Sequence, residues 1–66
     1  MEVTKEFIQD LKVGDIIPNM FGKLKPITKI SHKGVSIKDG KLFAYLYQEF
    51  TNSSTMSHTI REGQSI

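Results

Sequence analysis

Apolar and polar positions alternate on both sides of Asp39-Gly40, and this pattern organises the middle of the chain. Val35-Ser36-Ile37-Lys38 precedes the dipeptide and Lys41-Leu42-Phe43-Ala44-Tyr45-Leu46-Tyr47 follows it, which predicts a β-hairpin over residues 35–50. A two-residue type I′ connection is expected, because both of its central residues take φ > 0, which glycine adopts freely and aspartate tolerates better than most. Period two then sorts the second strand into Leu42, Ala44 and Leu46 on one face and Phe43, Tyr45 and Tyr47 on the other. Residues 41–50 also fit a helix, since Leu42, Tyr45, Leu46, Glu49 and Phe50 recur at helical spacing, and the fold would then be α+β. The strand is preferred because phenylalanine and tyrosine favour strands and the Asp-Gly turn directly follows an alternating run.

The rest of the chain supplies one helix and further short strands. Thr4 is placed as an N-cap, with Val3 before it packing on Ile8 as a hydrophobic staple. Val3, Phe7, Ile8 and Leu11 share one stripe, so a short amphipathic helix is expected over residues 5–11, too short to persist unless it docks. Val13-Gly14-Asp15-Ile16-Ile17 reads as a tight turn entering a strand that Pro18 ends, followed by a loop from Asn19 to Gly22. Leu24–Ser31 suits a strand with an edge or bulge at Pro26, and Ser31-His32-Lys33-Gly34 a turn before the hairpin. A polar loop at 51–55 leads to a last strand in which Met56, His58 and Ile60 alternate with Ser57, Thr59 and Arg61.

The stretch Leu11-Lys12-Val13-Gly14-Asp15-Ile16-Ile17 resembles the opening of many SH3-like small barrels, including those with a KOW motif. The resemblance implies a small barrel and carries over no binding residues. The expected fold is therefore mainly β: an SH3-like β-barrel or five-stranded antiparallel meander with a short N-terminal helix, forming one domain over residues 1–66.

A chain of 66 residues buries only about 60% of the surface it exposes when unfolded, and with no cysteine it has neither disulfide staple nor thiolate zinc site. Cytoplasmic residence is expected, and Glu2, Lys5, Glu6 and Asp10 break any apolar run that would serve as a signal peptide or membrane span. Charge is uneven despite a net +2. Residues 1–22 carry two lysines against four acids, residues 23–41 six lysines against Asp39, and residues 42–66 Arg61 against Glu49 and Glu62. The basic middle third can attract an acidic partner, although lysines spaced along strands also keep exposed edges unpaired.

Several side chains are candidates for binding. Phe43, Tyr45 and Tyr47, with Lys33, Lys38 and Lys41 nearby, supply the flat rings and cations that a base-stacking surface needs, unless a bent strand buries both of its faces and makes the rings core. Met20-Phe21 displays two large apolar groups in a loop, which suits a protein contact; Met56 can add to one, although core packing is its expected role. Incomplete sheet edges can take a partner's strand or join copies of this chain into a homo-oligomer. His32 and His58 stand alone, without the spacing of a metal site. Asp10, Asp15, Asp39, Glu49 and Glu62 are possible acids and Ser31, Ser36, Ser53, Ser54 and Ser57 possible nucleophiles, but none sits in a catalytic motif. The expectation is a non-enzymatic binding module with no cofactor, no metal and no membrane association. A protein partner is ranked first, as a small adaptor or inhibitor, because +2 is a small charge and Arg61 the lone guanidinium; nucleic acid is second.

Overall fold

A computed structural model describes residues 1–50, 52 and 54–66. Helix α1 (Lys5–Asp10) precedes strands β1 (Ile16–Pro18), β2 (Leu24–Val35), β3 (Leu42–Glu49) and β4 (Thr55–Arg61). The strands form one antiparallel meander in the order β1-β2-β3-β4, curled into a half-barrel. The mainly β fold with a short N-terminal helix is as the sequence predicts, and the helical alternative for residues 41–50 is excluded. Thr51 and Ser53, both within the expected polar loop and the latter among the possible nucleophiles, lie outside the described residues.

Among the described residues four strands stand where five were expected, because two predicted segments merge. The turn expected at Ser31–Gly34 is instead the interior of β2, where His32 pairs with Tyr45, Lys33 with Ala44 and Gly34 with Phe43. Gly34 allows a close approach of the Phe43 ring rather than making a turn. A Cβ there would lie 3.2 Å from Cζ of Phe43, too near without displacing the ring. Register shifts at Ile27/Lys29 and Ile30/His32 absorb extra residues and bend β2, whose first residues, Leu24, Lys25 and Pro26, pair with β1 while Ile27 onward runs along β3. The irregularity expected at Pro26 thus falls just beyond it, and Pro26 itself pairs with Ile16.

The connection between β2 and β3 also departs from the two-residue turn. Val35 ends β2, and the strand predicted to continue through Lys38 gives way to a wider loop closed by Ser36 N–H donating to Lys41 O at 2.9 Å. Within it Gly40 N–H donates to Ser36 O at 2.8 Å and Lys41 N–H to Asp39 Oδ1 at 3.1 Å. Gly40, at φ +71°, provides the left-handed residue that returns the chain to β3. Ile37 is left fully exposed.

Helix α1 begins as expected. Thr4 Oγ1 accepts the N–H of Phe7 at 3.1 Å, and Val3 and Ile8 are both buried in the core. Leu11, predicted as its last residue, is the extended C-cap. The core joins Val3, Ile8 and Leu11 to Ile17, Ile27, Ala44, Leu46 and Ile60 on the concave side of the sheet. Backbone bonds from Val3 N to Gln64 O at 2.8 Å and Gly63 N to Val3 O at 2.7 Å tie the first residues to the last.

Candidate functional site on the outer sheet face

Because Ala44, Leu46 and Gln48 point into the core, alternation along β3 sends Phe43, Tyr45 and Tyr47 to the opposite face, where each is half-buried. Helix α1 packs on the core side, so no described element covers these rings. Their neighbours follow from register: Gly34, His32 and Lys29 on β2, and Arg61, Thr59 and Ser57 on β4. His32, expected in a turn, joins the stripe instead. Its ring meets Phe43 edge to face at 5.7 Å and Tyr45 at 5.6 Å, and Tyr45 lies 6.0 Å from Tyr47. Lys29 Nζ sits 5.6 Å from the centre of the Tyr47 ring, a cation–π contact, and the Tyr45 hydroxyl donates to Ser57 Oγ at 3.1 Å.

Cations stand at both ends of this stripe. Lys29 marks the Tyr47 end, while Lys41 and Arg61 line an open pocket of about 470 Å³ beside Phe43. Asp39 and Glu62 also line it, each engaged by the backbone: Asp39 by Lys41 N–H and Glu62 Oε1 by Leu42 N–H at 3.0 Å. The bond from Lys41 N–H is the main cause holding the Asp39 carboxyl below its ordinary pKa of 3.8. Glu49 follows Tyr47 on the same strand face.

Two of the three lysines grouped with the rings are displaced from them. Lys38 sits in the exposed loop before Gly40. Lys33 pairs with the core-facing Ala44, and its Nζ donates to Gln9 O at 2.9 Å and Leu11 O at 2.7 Å, satisfying carbonyls at the end of α1. Lys29 and Arg61 take their place, and only the register reveals it.

A second surface lies on the hairpin joining β1 and β2. Met20 and Phe21 are 48% and 54% exposed, with Ile16 and Leu24 alongside at 65% and 67%. Phe21 meets Phe50 edge to face at 4.5 Å. Asn19, unremarked in the sequence reading, is buried and shapes this turn: its Oδ1 accepts from Phe21 N at 2.8 Å and Lys23 N at 3.1 Å, and its Nδ2 donates to Glu49 O at 3.3 Å. Asparagine two residues before a turn amide is a recognisable signal for such a motif. Met56, for which core packing was expected, faces the concave side from an open edge and remains 37% exposed.

The sequence reading also missed Gln48, which is 1% exposed. Its Nε2 donates to Ile17 O at 2.6 Å and Lys25 O at 2.8 Å, while its Oε1 lies 2.7 Å from His58 Nε2. Both amide hydrogens are thus engaged, so Oε1 accepts and His58 Nε2 carries the hydrogen. Partial burial lowers the His58 pKa below its ordinary 6.5. His32 and His58 occupy opposite faces of the sheet, and no group of three metal-binding side chains occurs among the described residues. Nor, among those residues, is any helix long and apolar enough to cross a membrane.

Compared with known proteins, the chain matches no family model, no curated protein and no solved structure.

Proposed function

We propose that the protein is a non-enzymatic binding module whose outer sheet face takes single-stranded nucleic acid. The reading is carried by one arrangement: His32, Phe43, Tyr45 and Tyr47 form an uncovered stripe with Lys29 at one end and Lys41 and Arg61 at the other. Sequence reasoning ranks a protein partner first; the outward position of the rings reverses that order. Stacking on such rings contributes about 1–3 kcal/mol per base, and flanking cations neutralise phosphates. Bases must be unpaired to reach rings held on a sheet, which favours single strands over duplex. A cysteine-free chain suits a reducing compartment such as the cytoplasm.

Amide NMR of the labelled protein, titrated with short single-stranded and duplex oligonucleotides at low and physiological salt, tests this reading. Salt-sensitive shifts at Lys29, His32 and residues 41–47 are expected with single strands. Tyr45→Ala should weaken binding about tenfold or more while the protein stays folded, and Tyr45→Phe should largely preserve it. A folded spectrum indifferent to every oligonucleotide would refute the proposal.

The exposed Ile16, Met20, Phe21 and Leu24 support a second reading, a protein-interaction module acting as an adaptor or inhibitor through the β1–β2 hairpin. Kinship with SH3-like barrels would fit it, resting on Leu11–Ile17, where the Val13-Gly14-Asp15 turn enters β1. Phe21→Ser should then abolish capture of a defined partner without changing an oligonucleotide titration; capture that survives this change would count against it.

A further inference from the structure

The two edges of the sheet are built differently. β1 has three residues and ends in Pro18, which protects it. β4 has seven residues, with neither proline nor lysine, and pairs with β3 in an unbroken register. At its two ends Glu62 N–H donates to Leu42 O and Phe50 N–H to Ser54 O. Alternation between these bonds directs the backbone groups of Met56, His58 and Ile60 to β3 and those of Thr55, Ser57 and Thr59 away from it. Arg61 is occupied at the same edge, because its N–H donates to Gln64 Oε1 at 3.0 Å and its carbonyl accepts from Gln64 N at 3.1 Å. The segment from Thr55 to Thr59 is therefore an open template, with no described segment beside it.

We propose that this edge pairs with β4 of a second copy of the chain, antiparallel about a two-fold axis through Ser57. In that register Ser57 faces Ser57 of the other copy and Thr55 faces Thr59, so every outward N–H from Thr55 to Thr59 meets an outward carbonyl. Thr-Thr and Ser-Ser pairs lie across the outer face, and Met56 opposes His58 on the concave side, covering part of the exposed methionine. No like charges meet. The pairing is independent of any nucleic-acid role, although it would place both aromatic stripes on one continuous face.

Sedimentation velocity of the intact protein from about 10 μM to about 1 mM tests the proposal. The expected result is concentration-dependent movement from 7.5 kDa toward twice that mass. Ser57→Pro removes an outward N–H while leaving the backbone bonds to β3, and should sediment as a monomer throughout. Thr55→Lys with Thr59→Lys sets lysine against lysine and should weaken pairing about tenfold, whereas Thr55→Lys with Thr59→Glu sets opposite charges together and should preserve it. Circular dichroism verifies that each variant is folded. A wild-type protein that stays monomeric, as when β4 serves only a different protein's strand, overturns the proposal; so does a folded lysine pair that dimerises like wild type.

Discussion

Replacing Gln48 by leucine tests what holds the half-barrel curled. Gln48 lies on β3 where β2 turns away toward β1, and its amide reaches carbonyls on both, at Ile17 and Lys25. Leucine fills a similar volume but leaves those carbonyls and the His58 N–H without this partner. Three lost bonds at about 1 kcal/mol each, offset by about 1 kcal/mol from burying the apolar side chain, predict a net loss of about 2 kcal/mol. For 66 residues total stability should be about 3–10 kcal/mol, so the loss is large and lowers Tm by roughly 10 °C. Urea and thermal unfolding followed by circular dichroism measure it. Gln48→Glu, nearly isosteric, should cost more, because a buried carboxylate offers the two carbonyls no hydrogen. If Gln48→Leu unfolds within about 0.5 kcal/mol of wild type, the bridge contributes no net stability and the reasoning fails.

Two further predictions follow from groups assigned away from the outer face. Lys33→Met should lower stability by about 1 kcal/mol by removing bonds to the end of α1, yet leave the proposed oligonucleotide binding near wild type; a loss comparable to that of Tyr45→Ala would return Lys33 to the proposed binding face. Because the folded His58 pKa lies below its ordinary 6.5, the unfolded chain binds a proton first. Stability from this group should be fully present above pH 6.5 and be lost as pH falls through the folded value, and His58→Asn should flatten that part of the urea-midpoint profile.

The parts of the fold legible in the sequence are those that short-range chemistry dictates. Thr4 before an apolar stripe gives the helix start, and alternation from Leu42 to Tyr47 gives the faces of β3. Gly34 and Gly40 show where such reasoning stops. Both carry the same turn signal, but Gly34 lies in a strand beneath Phe43, and Gly40 ends a loop wider than the Asp-Gly pair implies. The proposed binding face divides in the same way. Its three β3 rings are visible from spacing, whereas His32, Lys29 and Arg61 join them through bulges and register.

Periodicity and capping act within a few residues, so the sequence alone sets the helix, the long central strand and the division of its side chains between two faces. The direction of a long side chain, the merging of two predicted strands and the bridge from Gln48 depend on groups far away in the chain. Lys33 reaches carbonyls 24 and 22 positions away, and Gln48 one 31 positions away. Those partners meet only once the sheet has curled, so folding assigns these lysine and glutamine side chains their roles.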